Sequence, residues 1–153
     1  MTWLYFLLHL VVALLLGGAI GLERQFRLHP AGLRTNTLVA LGAAAFVSLG
    51  ALAGAPDGPA HIAPQIVSGL GFLGAGVILH EGLNVRGLNT AATIWCSGAV
   101  GTLAGGGYLA EAAVAAACVL AVNVGLRPVV LRLELRSYTS ATVEVYYRIR
   151  VTC

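Results

Sequence analysis

A chain of 153 residues that is 58% apolar and only 10% charged carries more apolar surface than a water-soluble fold can cover, the usual shares being about 45 to 50% and about 25%. Its formal charge is +3 and all nine basic residues are arginine, scattered instead of gathered into a dense stripe with interleaved aromatics, which argues against nucleic acid as a partner. What remains is a protein of the lipid bilayer.

Crossing a hydrocarbon core of about 30 Å takes roughly 17 to 25 predominantly apolar residues in a helix, and five such spans can be drawn. The first, Trp3 to Leu22, has no positive amino-terminal flank and runs into Glu23 and Arg24 without a small-residue cleavage site. It is therefore expected to stay in the mature protein and not to serve as a signal peptide. Gly17 and Gly21 stand four apart within it. A charged connection, Glu23 to Arg34, leads to the second span, Thr35 to Leu52. A turn rich in Gly and Pro, Ala53 to His61, precedes the third, Ile62 to Leu79, in which Gly69, Gly71, Gly74 and Gly76 crowd together. After a polar connection, His80 to Leu88, comes the fourth span, Asn89 to Gly105, with Gly101 and Gly105 again four apart. A tight turn at Gly105 to Gly107 opens the fifth, Tyr108 to Leu126.

In lipid, burying apolar side chains gains little over leaving them among acyl chains, so close backbone approach at small residues is a main source of helix association. The eight glycines named in the first, third and fourth spans are accordingly expected to pack these helices tightly, within the protomer or between protomers. Gly69 to Gly74 also fits the dinucleotide pattern GxGxxG, but no strand precedes it and no acidic residue follows about twenty positions on in a βαβ unit. No cofactor is read from it.

Pro128 ends the fifth span by removing a backbone donor. From Ala141 the chain alternates, with Val143, Val145, Tyr147, Ile149 and Val151 on one face and Glu144, Tyr146, Arg148, Arg150 and Thr152 on the other, the pattern of a β-strand. A lone strand is not a stable unit. Either it pairs across a dimer or the chain stops partway into a soluble domain; on the second reading, which is preferred, residues 128–153 are a cytoplasmic linker and the first strand of that domain, after a five-span transmembrane domain over residues 1–127. The expected fold class is an all-α membrane protein of five transmembrane helices with a short C-terminal β-strand segment.

Threading five spans places Arg24, Arg27 and Arg34, then Arg86, then Arg127, Arg132, Arg136, Arg148 and Arg150 on one side, with Asp57 and Glu111 toward the other. The positive-inside rule makes the arginine side cytoplasmic, the amino terminus periplasmic or extracellular and the carboxyl terminus cytoplasmic.

The chain also repeats itself. Gly32, Leu33, Arg34 and Thr35 open the second span, Gly87, Leu88, Asn89 and Thr90 open the fourth, and at the same offset of 55 residues Gly50 falls on Gly105. The two hairpins share one orientation, which makes this a parallel repeat about an axis near the membrane normal. It brings two helix starts to the cytoplasmic face, where two readings stand. Thr35, Asn36, Asn89 and Thr90 are residue types that cap exposed backbone N–H groups. Alternatively, two amino termini with partial positive charge, together with Arg34 and Arg86, make a site for an anion or for a carboxylate such as Glu23 or Glu81.

Polar groups inside spans are default site candidates. Gln65 and Ser68 lie in the third span and Asn123 near the inner end of the fifth, while Asn89, Thr93, Cys96 and Ser97 share one face of the fourth. Interhelical hydrogen bonding accounts for that face without a ligand. Cys96, Cys118 and Cys153 show no CxxC or Cys/His spacing, so neither a disulfide framework nor a zinc site is read from them. No carboxylate stands near the middle of a span, whereas a route for Mg²⁺ calls for oxygen ligands along the path. Motifs for nucleophilic, metal or phosphate chemistry are missing as well, so no catalytic or metal-binding residue is expected and the protein is not read as an enzyme.

The segments GGAIGLERQFRLHPAGLRTNTLVALGAAAF (Gly17 to Phe46), SGLGFLGAGVI (Ser68 to Ile78) and VRGLNTAATIWCSGAVG (Val85 to Gly101) resemble the signature of the MgtC/SapB family of bacterial inner-membrane proteins. The resemblance implies a five-span membrane domain followed, in many members, by a cytoplasmic domain similar to the ACT fold. It further implies growth at low magnesium and survival inside macrophages, exerted through other membrane proteins such as the ATP synthase and transport systems, with a role in magnesium transport as an older description. By position, the residues it points to are Glu23, Arg24, Arg34, Glu81, Asn89 and Cys96. The chain departs from the family at its carboxyl end, so regulation through that soluble domain is not implied for it.

Taken together, these readings give a membrane interaction or regulatory protein, expected as a homo-oligomer, a dimer. A transporter or channel for a small ion or solute, with its site on the cytoplasmic side, is the alternative. Glu23, Arg24, Arg34, Thr35, Glu81, Arg86, Asn89, Thr90, Cys96 and Asn123 are the candidate functional residues.

Overall fold

In the computed structural model the described residues are 3–54, 57–81, 84–126, 128 and 132. They form α1 (Trp3–Phe26), α2 (Leu33–Leu52), α3 (Gly58–Val77), β1 (Leu79–Glu81), β2 (Asn84–Arg86), α4 (Leu88–Gly105) and α5 (Leu109–Gly125). The architecture is thus nearly all helical, with five helices. Three of them, α1, α2 and α3, are long and apolar enough to cross a membrane, and α5 is a shorter apolar helix. The strand expected from Ala141 onward lies outside the described residues.

Helix ends differ from the spans in an instructive way. The helix hydrogen-bond ladder is indifferent to side-chain polarity, so α1 runs past Leu22 through Glu23 and Arg24, and α3 begins at Gly58, four residues before Ile62. What stops α1 is Leu28, whose φ of 55° is left-handed. His29 N–H donates to Arg24 O at 3.1 Å and Leu28 N–H to Gln25 O at 3.1 Å, the paired bonds of a Schellman cap. Gly107, with φ 89°, ends α4 by the same device, Tyr108 N–H reaching Leu103 O and Gly107 N–H reaching Ala104 O. The connection between α3 and α4 is not a plain polar loop: β1 and β2 pair antiparallel, Leu79 opposite Arg86 and Glu81 opposite Asn84.

The chain divides into two units, Met1–Val119 and Leu120–Cys153, with α5 beginning in the first and ending in the second. In the first unit α2 is central, packing on α1, α3 and α4. Its buried positions are mostly small, Ala13, Ala40, Ala43, Ala44 and Ala104 with Ile20, Val47 and Val100, while Trp3, Leu15, Phe26, Phe46 and Phe72 are exposed. Small residues inside and large apolar ones outside is the reverse of a soluble core and the arrangement that lipid favours.

One seam runs along α2 and α4. A Cβ at Gly101 would strike the backbone of Ala40, and one at Gly105 would come within 2.7 Å of Ala44 Cα. Ser48 Oγ donates to Gly105 O at 3.1 Å. On the other flank of α2, a Cβ at Gly17 would lie 2.5 Å from Ala40 Cβ, and one at Gly21 would lie 2.7 Å from Leu33 Cα. Ala40 is therefore gripped by glycines of two helices at once. The third-span glycines behave differently: beside Gly69, Gly71 and Gly76 a Cβ would meet open space, and beside Gly74 it would only reach Ala91 at 3.7 Å. Gly17, Gly21, Gly101 and Gly105 thus have close neighbours within the protomer, and the third-span glycines do not.

Candidate functional site

The inward stripe of α1 is His9, Ala13, Gly17, Ile20, Gly21 and Arg24, spaced at three and four residues as one helical face requires. Its last member is a cation, and the stripe carries it into the bundle: Arg24 is 1% exposed and the largest fully buried side chain. Its Nη2 donates to Thr90 Oγ1 at 2.8 Å and to Pro30 O at 3.2 Å. The left-handed turn at Leu28 reverses the chain so that Pro30 can offer that carbonyl. Arg24 Nε is buried without a hydrogen-bond partner among the described residues, as is Glu23 Oε2. Glu23 Oε1 pairs with Arg27 Nε at 2.5 Å, one turn along the helix.

One turn into α2, Asn36 is 0% exposed. Its Nδ2 donates to Ala31 O at 2.6 Å and Gly32 O at 3.0 Å, and its Oδ1 accepts from Ser97 Oγ at 2.8 Å. Thr93 turns its hydroxyl back onto Asn89 O at 2.8 Å. Bonds of this kind at membrane depth contribute about 0.6 kcal/mol on average. Two buried polar pairs, Arg24 with Thr90 and Asn36 with Ser97, therefore tie α1 and α2 to α4 in the half of the bundle where α1 ends, and form its buried polar cluster. The opposite end is held by Ser48 on Gly105 and by close contact between Gly50 and Gly58.

Simple capping does not hold at either helix start. Glycines occupy both N-cap positions, Gly32 for α2 and Gly87 for α4, and neither helix has a side-chain cap bond. Because each chain entry is through a glycine, Thr35, Asn36, Asn89 and Thr90 are pushed into the first turns, where Asn36 and Thr90 serve tertiary contacts. Arg34, Thr35, Arg86 and Asn89 are exposed, so they stand outside the buried cluster. Glu81 lies on β1 in register with Asn84. Cys96 is half-buried, and Asn123, in the second unit, has an amide nitrogen buried without a partner among the described residues. No group of three metal-ligating side chains occurs among the described residues.

Sequence reasoning missed the Asn36–Ser97 bond. Its signal was a matching period of four, Asn36, Ala40 and Ala44 against Ser97, Gly101 and Gly105, which marks two faces that can be brought together small residue against small residue.

A second surface lies on α3. Only Gly58 and Leu70 of its twenty residues are buried, Phe72 is 82% exposed, and an apolar groove of about 590 Å³ runs between α3 and α2, with Phe46, Ile62, Gln65, Gly69 and Leu73 along it.

Residues 10–131 match the model of the MgtC family. The chain is 56% identical over 141 residues to the protein named Protein MgtC of Brucella abortus (strain 2308), covering 92% of this chain and 59% of that protein. It is 52% identical over 148 residues to Protein MgtC of Salmonella paratyphi A, covering 97% and 63%, and 50% identical over 153 residues to a Synechocystis protein, covering 100% and 65%. The chain therefore spans about three fifths of the length of the curated relatives it matches. No solved structure matches it. With glycine-gripped apolar helices and a family model that takes in residues 10–131, the chain belongs to the MgtC family.

Proposed function

We propose that this protein is an inner-membrane regulator of five transmembrane spans that acts by lateral contact with other membrane proteins, in support of adaptation to low magnesium or to life inside a host. The observation that carries the reading is the contrast among the glycines. Those of α1 and α4 are filled by neighbouring backbone, whereas Gly69, Gly71 and Gly76 of α3 face open space. In lipid a small residue earns its place where another helix comes close, so the open face of α3 suits a partner helix. The alternating helix directions and the arginines at the Arg24 end support an orientation with that end cytoplasmic. Transport is not needed to account for the buried polar groups, because most of them bond to one another.

Photocrosslinking tests this in native membranes of the source bacterium, with the photoreactive residue at Phe72. Capture of a distinct membrane protein, the ATP synthase or a transport system among those to be sought, is the expected result. Gly71→Leu should abolish the capture while leaving the fold intact. Adducts only with lipid, or liposomes rendered leaky to a labelled ion by the pure protein, would sink the regulator in favour of a channel or transporter. Adducts only with a second copy would reduce the α3 face to a homodimer contact.

A further inference from the structure

Charges of one sign collect where α1 ends and α2 and α4 begin. The Arg24 guanidinium is 1% exposed, and its two bonds go to uncharged acceptors, Thr90 Oγ1 and Pro30 O. Its Nε has no hydrogen-bond partner among the described residues. The amino-terminal turns of α2 and α4, each equivalent to about half a positive charge, lie against the same stretch of α1. Leu33 of α2 abuts Gly21, and Thr90 of α4 receives the Arg24 bond. These are long helices of 20 and 18 residues, and neither start carries a side-chain cap. Two groups oppose the charge. The Glu23 carboxylate is engaged by Arg27 through Oε1 alone, its Oε2 having no hydrogen-bond partner among the described residues, and at the carboxyl end of α1 the Arg24 and Gln25 carbonyls are engaged by the Schellman bonds. A buried cation flanked by two positive helix ends is costly without an anion.

We propose that Arg24 and the first turns of α2 and α4 bind a phosphate-type oxyanion that enters from the arginine-bearing face. Donors from three elements lie at this end, the Arg24 fork on α1 bonded to Thr90 of α4 and Leu33 of α2 set against Gly21 one turn back, a spread that suits a tetrahedral anion better than a planar carboxylate. Arginine Nε and Nη2 present adjacent donors in one plane, the geometry that phosphate accepts. Residues 27–32 close over the guanidinium in this structure, and the anion takes over the Nη2 bond that Pro30 O now accepts. Leu28, His29 and Pro30 are exposed, so only the segment around Pro30 has to shift, while Ala31 and Gly32 stay held by Asn36. Because the site lies at the bundle end where headgroups would sit, the phosphate is either free in solution or the diester of a phospholipid. This site is independent of the α3 face and of any partner bound there.

The test uses the full chain in maltoside micelles, which contain no phosphate. The Arg24 Nε–H resonance, assigned through its backbone in protein with ¹⁵N-arginine, is followed on addition of inorganic phosphate against chloride at equal ionic strength. In parallel, native mass spectrometry scores retention of added phosphatidylglycerol. A phosphate-specific shift of the Nε–H signal supports a soluble ligand, and retention of phosphatidylglycerol with the same shift supports a headgroup. Arg24→Lys keeps the charge and removes the fork, and should weaken whichever binding is seen about tenfold, while Gln65→Ala, on α3 and away from the site, leaves the Arg24 signal responsive. Absence of both effects overturns the proposal, as does binding undiminished in Arg24→Lys. Should that variant not fold, the wild-type titration decides alone.

Discussion

Leu28 holds a backbone conformation that L side chains avoid, and it does so 90% exposed with nothing packed on its side chain to compensate. A left-handed non-glycine residue costs about 1–2 kcal/mol. Leu28→Gly should therefore stabilise the protein by about 1 kcal/mol, read as a shift in the unfolding midpoint in micelles, and a neutral result would mean the turn is not formed. Asn36 makes the opposite case, a buried amide with both ends used. A double-mutant cycle between Asn36→Ala and Ser97→Ala should return a coupling of about 0.6 kcal/mol, at most about 1.7. Additive effects would show that the two side chains do not meet. Spacing alone made Ser97 legible as part of a polar face, but its partner was not, because Asn36 reads from sequence as one more residue suited to a cap.

At the scale of whole helices, glycine spacing is a poor guide to which face is occupied. Gly101 and Gly71 both sit in apolar, glycine-rich spans, yet a Cβ on the first would strike the Ala40 backbone and on the second would meet nothing within 4 Å. Gly101→Val should cost about 1–3 kcal/mol by overpacking the α2–α4 seam, whereas Gly71→Val in the isolated protein should stay within about 0.5 kcal/mol. Equal costs in thermal unfolding would mean that α3 is already covered. The hairpin of β1 and β2 was hidden from sequence reading because three-residue strands carry too short a pattern to show alternation. Its exit at Gly87, with φ 92° and with Val77 O standing where a Cβ would go, also makes Gly87→Ala destabilising.

For the molecule as a whole the proposed threading is the premise on which the anion site and the regulator both depend. Single cysteines at His29 and Asp57, in a background with Cys96, Cys118 and Cys153 replaced by serine, should react with an impermeant maleimide from opposite faces of sealed vesicles. Labelling of both from one face would undo the orientation and with it the cytoplasmic entry of phosphate.

Composition, span spacing and the distribution of arginine were enough to establish a bundle of apolar helices, a family resemblance and the offset of 55 residues at which α2 and α4 both begin, at Leu33 and Leu88. These are one-dimensional properties, fixed by how long and how apolar each stretch is. Which glycines are filled, and that Arg24 is drawn inward while Arg34 stays outside, follow from how one helix is rotated against its neighbours, and only the packed bundle sets that rotation.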